Sequence, residues 1–253
     1  MKVLILCGGK GTRLGGGDTP KPLVEIGGKP ILWHIMSRYA KFGLKEFVLL
    51  LGHQSWKIKD YFLTYKYRHN NFTLPPLPLG NFESSRPMIP VDWEVSLVET
   101  GENSGTADRI LNTTQYFNSS EDFMLTYGDG VADIDLTKLY KHHQRNKRIA
   151  TITAVRPPVR FGNLAVKGNA ATSFGEKQTS TGWINGGFFV FRREFVRAYL
   201  KPGMLEQGPL QKCAGDDNLT AYRHPGFWQC MDTPRDLEYL QSLWEKGNAP
   251  WAI

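Results

Sequence analysis

An unbroken apolar run constrains the fold of this chain more than any other feature. Lys2 to Cys7 reads KVLILC, and it opens directly into the glycine-rich stretch Gly8-Gly9-Lys10-Gly11. A strand with one wet face alternates apolar and polar residues. A continuous run marks a strand covered on both faces, as in a parallel sheet between helix layers. The next patterned segment has helical spacing. From about Pro30 to Phe42, apolar residues recur at Ile31, Leu32, Ile35, Met36, Tyr39 and Phe42, with Pro30 suited to the first turn and Gly43 to the stop. A second buried strand, Phe47 to Leu51, and a second helix, Ser55 to Tyr67, follow. Strand, helix, strand, helix predicts an α/β chain whose mostly parallel sheet is covered by helices through right-handed crossovers.

Asn70 to Asp92 breaks this rhythm with Pro75, Pro76, Pro78, Pro87 and Pro90. It reads as an irregular insertion, either a functional lid or subunit contact or a plain surface loop. The alternation resumes with a strand at Val95 to Glu99, a helix at Ala107 to Gln115, a strand at Phe123 to Tyr127, a helix at Leu136 to Arg145 and a strand at Thr151 to Val155. Short strands near Asn163 to Val166 and Trp183 to Phe191 predict a small added β region, and a helix from about Pro234 to Lys246 follows. The chain reads as one domain over 1–253, with the portion from about 155 onward built on this added region.

At 253 residues and 41% hydrophobic content, one large α/β domain has enough apolar material for a sizeable core. No stretch approaches the ~18 uninterrupted apolar residues of a membrane span. The run at Lys2 to Cys7 is too short for a signal-peptide core. The expected location is therefore the cytoplasm. The formal charge of +7 attracts polyanions, but no run of five Lys or Arg occurs. That excludes a nucleic-acid tail and leaves small phosphorylated substrates. Cys7, Cys213 and Cys230 lack metal-ligand spacing and read as reduced, buried thiols.

The loop after the first strand lies where parallel sheets bind ligands. Glycines at 8, 9 and 11 let backbone N–H groups approach an anion, and Arg13 and Lys21 add two cations to the same loop. No Gly-Lys pair is followed by Ser or Thr, so this is not a P-loop. Asp129, in Tyr127-Gly128-Asp129-Gly130, follows an apolar strand and is placed to hold Mg²⁺ through hard oxygen contacts, or simply to make a turn. Trp33 and His34 read as packing groups inside the first helix. His142 and His143 fall on an exposed-looking helix without metal-ligand neighbours.

GGKGTRL followed by PKPLVEIGGKPIL resembles the signature of the sugar-phosphate nucleotidyltransferases. The segments GGKPILWHIM (27–36), TYGDGVAD (126–133), INGGFFV (184–190), HPGFWQCMD (224–232) and LWEKGNAPW (243–251) are most similar to the glucose-1-phosphate cytidylyltransferase subgroup. The resemblance implies a Rossmann-like three-layer sandwich of the nucleotide-diphospho-sugar transferase type. It implies nucleotidyl transfer from an NTP, CTP in this subgroup, to a sugar 1-phosphate, glucose 1-phosphate in this subgroup. Mg²⁺ is the implied cofactor, and a homo-oligomer the implied assembly, with no nucleic-acid or membrane partner.

By the same resemblance, Arg13 and Lys21 are the catalytic cations. Gly8, Gly9, Gly11, Thr12, Thr106, Arg109 and Gly128 line the nucleotide. Asp129 and Asp232 hold the metal, although Asp232 also suits the cap of the last helix. Glu176 and Lys177 contact the sugar and its phosphate, or form an exposed ion pair. Asn185 and Gly186 contact the sugar, or mark a strand bulge.

The chain departs from the subgroup in three places. The loop from Arg13 to Lys21 is shorter. Gly105-Thr106-Ala107-Asp108-Arg109 has the generic family form where the subgroup has Thr-Gly-Gly-Arg. Gly208 stands where relatives carry Glu. Two other readings compete. Asp133-Ile134-Asp135 is a D-x-D sequence of the kind glycosyltransferases use for metal, and a non-catalytic nucleotide sensor would tolerate the departures. Neither gives Arg13 and Lys21 a catalytic task.

Overall fold

In the computed structural model, which describes residues 1–11, 18–68, 92–117, 122–157, 163–175 and 182–252, the first apolar run forms β1 (Val3–Cys7), buried at every position. A hairpin of β2 (Glu25–Ile26) and β3 (Lys29–Pro30) leads into α1 (Ile31–Lys41), then β4 (Glu46–Leu51), α2 (Ser55–Arg68), β5 (Glu94–Glu99), α3 (Thr106–Leu111) and β6 (Phe123–Tyr127). Next come β7 (Gly130–Ala132), α4 (Leu136–Asn146), β8 (Ala150–Val155), β9 (Asn163–Lys167) and β10 (Ala170–Gly175). The described chain continues with β11 (Ile184–Asn185), β12 (Phe189–Phe191), α5 (Glu194–Ala198), α6 (Pro209–Gly215), β13 (Leu219–Arg223), β14 (Trp228–Cys230) and α7 (Pro234–Glu245).

Eight strands form the central sheet in the order β13-β8-β12-β6-β1-β4-β5, with β11 beside β12 along the same edge of β8. Six strands run the same way, and β11 and β12 run against them. Alternate residues of β1 feed two separate cores. Val3, Ile5 and Cys7 pack with Ile31, Ile35 and Tyr39 of α1 and with Leu240 of α7. Leu4 and Leu6 pack with Ile110 of α3, Phe195 of α5 and Leu210 of α6. The molecule is thus a mixed α/β three-layer sandwich on a mostly parallel sheet. Each fully buried aliphatic side chain contributes about 1.5–3 kcal/mol. Truncating Ile5 to Ala would therefore cost roughly 2–5 kcal/mol. No helix among the described residues is long and apolar enough to cross a membrane.

Helix α1 forms because its apolar positions fall on one stripe, which is buried from Ile31 to Tyr39. It ends at Phe42, followed by Gly43 at φ +80°, a left-handed conformation that glycine adopts without strain.

Several expectations are corrected. Trp183 to Phe191 does not belong to an added β region. It splits into β11 and β12, and both join the central sheet. Of the expected added region, the strand near Asn163 to Val166 does stand apart from the central sheet, as the β9–β10 hairpin. The helix expected over Ala107 to Gln115 stops at Leu111, and Thr114–Tyr116 forms a separate 3₁₀ turn. His143 is not exposed: it is fully buried, with Nδ1 2.7 Å from Thr151 Oγ1. Cys230 is only partly buried, although all three thiols are free. The insertion expected over 70–92 lies, apart from Asp92, outside the described residues.

Strand order fixes where a ligand fits. From β1 the chain steps outward to β4 and β5, then returns to lay β6 against the other edge of β1. The loops leaving β1 and β6 therefore diverge at a topological switch point, where open α/β sheets bind ligands.

Candidate functional site

A cleft of about 270 Å³ opens at that switch point, lined by Gly8, Gly9 and Gly11 after β1 and by Gly128 and Asp129 after β6. Lys21, Thr106, Arg109 and Tyr127 also line it. Gly128 allows the two strand ends to close up. Its N–H donates to Leu6 O at 3.0 Å, and a Cβ there would meet that oxygen at 2.8 Å and Pro22 Cγ at 3.3 Å. Gly11 has φ +61°, and a side chain at Gly9 would project into open space. The backbone of this loop is therefore free to face a ligand. Thr12 and Arg13 lie outside the described residues.

Asp129 and Asp232 are far apart in sequence but adjacent in space. Strands β7 and β14 pair antiparallel with Gly130 opposite Cys230. The next pair outward brings Met231 N to donate to Asp129 O at 2.8 Å. Asp232 follows immediately. Lys21 Nζ reaches between the two carboxylates, bonding Asp129 Oδ2 at 2.8 Å and also Asp232 Oδ1. Burial works against the Lys21 charge, but the two carboxylates outweigh it, so the ammonium holds its proton above the usual lysine range.

Asp232 is not the helix cap. Thr233 is: its side chain accepts from Asp236 N, and Asp236 Oδ2 in turn accepts from Thr233 N at 2.8 Å and Asp232 N at 3.1 Å. This capping box fixes the backbone of residue 232 and leaves its carboxylate turned toward Lys21. Two carboxylates that grip one cation between hard oxygens fit a divalent ion such as Mg²⁺. Among the described residues no cluster of three or more His, Cys, Asp or Glu exists, so an ion here would take its other ligands from water and phosphate.

Arg109 plays a different part from a free cation. It is 5% exposed, and its guanidinium donates to Leu51 O (3.0 Å), Thr100 Oγ1 (2.7 Å), Gly101 O (2.8 Å), Gly8 O (3.0 Å) and Glu102 O (3.3 Å). It ties together the chain ends leaving β1, β4 and β5. Gly8 and Gly52 must lack side chains, because a Cβ would lie 2.2 Å and 2.4 Å from guanidinium atoms. The neighbouring Asp108 is also structural: it accepts from Gly105 N at 2.8 Å and Gly203 N at 2.9 Å.

On the β8 side, Asn185 and Gly186 sit at the bulge between β11 and β12. A Cβ at Gly186 would meet Val155 Cγ1 at 2.6 Å; Gly187 has φ +75° and Phe188 φ +48°. Asn185 Oδ1 accepts from Gly187 N at 2.9 Å, which braces the turn. Gly186 O accepts from Trp228 Nε1 at 2.8 Å, linking the bulge to β14. Glu176 and Lys177 lie outside the described residues. Sequence reasoning overlooked Tyr127 and Glu206. Tyr127 Oη donates to Glu206 Oε1 at 2.6 Å, and Thr106 Oγ1 donates to Glu206 Oε2 at 2.8 Å. Nothing local in the sequence marks these contacts.

The D-x-D residues face other tasks. Asp135 caps α4 by accepting from Lys138 N at 2.9 Å, and Asp133 lies 2.8 Å from His224 Nε2. His34 packs as expected, with Nε2 2.9 Å from Ile26 O, and Trp33 stacks on Tyr65 at 5.1 Å.

Comparison with known proteins agrees with this architecture. The family described as "Nucleotidyl transferase" matches residues 2–237. The probable glucose-1-phosphate cytidylyltransferase of Bacillus subtilis (strain 168) is 44% identical over 257 residues, covering 100% of both chains. The glucose-1-phosphate cytidylyltransferase of Salmonella typhimurium is 43% identical, covering 99% of this chain and 98% of its own. Among solved structures, HddC from Yersinia pseudotuberculosis complexed with GMP-PN superposes with a TM-score of 0.69 at 24% identity, covering 96% of this chain and 99% of that one. With a match over nearly its whole length and a cation-holding cleft at the switch point of its sheet, this chain belongs to the nucleotidyl transferase family.

Proposed function

We propose that this chain transfers the cytidylyl group of CTP to glucose 1-phosphate, giving CDP-glucose and pyrophosphate, with Mg²⁺ as cofactor. Two full-length relatives that carry this activity in their names, at 43% and 44% identity, support the choice of substrates. The observation that carries the chemistry is the meeting of Lys21, Asp129 and Asp232 at the mouth of the glycine loop.

In this reaction a phosphate oxygen of the sugar 1-phosphate attacks the α-phosphorus, and pyrophosphate leaves in line. The nucleophile is already anionic, so no general base is required. The protein must hold two mutually repelling anions together and neutralise charge at the reacting phosphorus. Backbone N–H groups at Gly8, Gly9 and Gly11 cradle the triphosphate. Thr12 and Thr106 complete the nucleotide wall, and Gly128 lets the nucleotide approach the sheet end. Arg109 acts on the nucleotide through the loop it braces. Arg13 supplies a planar donor to triphosphate oxygens. Lys21 exchanges its carboxylate contacts for the α-phosphate. Asp129 and Asp232 would hold Mg²⁺, which when bound neutralises charge on the phosphate oxygens. The portion from about residue 155 supplies the sugar side, with Asn185 and Gly186 toward the hydroxyls, Glu176 accepting from them and Lys177 on the sugar's phosphate. The working form is a homo-oligomer in the cytoplasm, and light scattering on the purified chain tests the assembly.

One assay tests the reaction. The protein is incubated with Mg²⁺, each common NTP and a panel of sugar 1-phosphates, and pyrophosphate is measured. CTP with glucose 1-phosphate is expected to be fastest. Another pair winning would reassign base or sugar, and no pyrophosphate from any pair would overturn the proposal.

A further inference from the structure

Four side chains join the nucleotide wall to the bulge on the β8 side. Thr106 and Tyr127 both line the cleft, and both hydroxyls donate to the carboxylate of Glu206, at 2.8 Å and 2.6 Å. Asn185 Nδ2 donates to the Tyr127 oxygen at 3.0 Å, and Asn185 Oδ1 accepts from Gly187 N at 2.9 Å. The relay has a single polarity. The Glu206 carboxylate accepts from both hydroxyls, so the phenolic proton points at Glu206. The Tyr127 oxygen is then left as an acceptor, and the Asn185 amide must turn its NH₂ toward it. Glu206 is itself anchored: Thr106 Oγ1 accepts from Leu205 N at 2.8 Å, and Ala107 N donates to Gly203 O at 3.0 Å, holding the loop before α6 against α3.

We propose that Glu206 is a positioning residue for the acceptor sugar: through Tyr127, and together with the Gly187 N–H, it holds the Asn185 amide in one sense and place, so that the second Nδ2 hydrogen is presented to a sugar hydroxyl. This rests on the reading of Asn185 as a sugar contact. Glu206 does not itself line the cleft: one oxygen reaches Asn185 through Tyr127, and the other accepts from Thr106 of the nucleotide wall. Losing the relay while the Thr106 contact is kept is therefore expected to act on sugar binding more than on nucleotide binding.

Glu206→Gln tests this directly. A glutamine keeps an oxygen for Thr106 but offers an NH₂ to Tyr127, which turns the phenolic proton toward the Asn185 NH₂, donor against donor, and breaks the relay. The KM for glucose 1-phosphate is expected to rise about tenfold, the worth of one well-made hydrogen bond, with the KM for CTP staying within about twofold. Tyr127→Phe, which cuts the relay without a charge change, is expected to give the same split. It serves as the second variant if Glu206→Gln folds poorly. Asn185→Ala separates the two layers of inference. If it leaves the sugar KM unchanged, the sugar-contact reading fails and the proposal falls with it. If it raises the sugar KM while Glu206→Gln and Tyr127→Phe do not, or if those two raise both KM values equally, only the positioning role is overturned. Adding Glu206→Gln to Asn185→Ala is expected to raise the sugar KM no further; full additivity would also sink the relay.

Discussion

Lys21 and Arg109 line the same cleft and carry the same charge, yet they are held in opposite ways. Lys21 rests on two partly exposed carboxylates. Arg109 is sealed under the glycine loop by four backbone carbonyls and a hydroxyl. The difference teaches how to tell an exchangeable cation from a structural one. Carboxylates that hold an ammonium also suit a divalent ion, so the Lys21 contacts are exchangeable. The Arg109 acceptors lie at strand ends, and Leu51 O and Gly8 O also accept from Thr100 N and His53 N, so the guanidinium is one part of a fixed network that no ion would replace. Proximity to a cleft does not distinguish the two, but the identity of their acceptors does.

The contrast breaks most visibly on the Lys21 side. Asp129→Asn, Asp232→Asn and Lys21→Ala are each expected to lower kcat/KM for pyrophosphate release by about 10²–10³ while the circular dichroism spectrum stays native. Near-normal turnover in any of them would remove that residue from the chemistry. On the other side, Arg109→Ala is expected to cost about 3 kcal/mol in urea unfolding, because five hydrogen bonds that tie the ends of β1, β4 and β5 together are lost from a buried position. An unchanged midpoint would show that the guanidinium is free to serve the ligand. Gly186→Ala sharpens the sugar edge: the added methyl meets Val155, so stability is expected to fall by about 1–3 kcal/mol and the sugar KM to rise more than the CTP KM.

The smallest effect comes from a buried group outside the cleft. Burial first, opposed by Asp122, pushes the His143 ring down to about 4. The unfolded chain takes up a proton near pH ~6.5, so between these values it binds more protons than the folded one. Stability is therefore full above the unfolded value and falls as the pH drops through this window. The loss is expected to reach about 1 kcal/mol near pH ~5.5. His143→Gln should flatten that slope relative to the parent, measured as the unfolding midpoint against pH, and an identical slope would mean that other groups carry it.

Much of the fold was legible because period and burial are local properties. The continuous run of β1, the stripe of α1 and the switch into β4 follow from residues within one or two turns of each other. The glycine loop and Asp129 could likewise be placed at strand ends before any contact was known. The sequence did not show that Trp183 to Phe191 turns into the central sheet, because strand partners are chosen by long-range pairing. His143 looked exposed because its helix is polar around it, and only the strand beneath, with Thr151, makes a pocket for the ring.

The amino-acid order by itself thus determined the layer architecture, the anion-seeking loop and the residue types able to handle phosphate. The tertiary structure alone decided which charges meet: that Asp232 crosses the β7–β14 pairing to join Asp129 and Lys21, that Arg109 spends its donors on carbonyls, and that Glu206 finds Tyr127. The reason is physical. Helices and strands are specified by neighbours along the chain, whereas a hydrogen-bond partner is specified by which strand ends the sheet brings together.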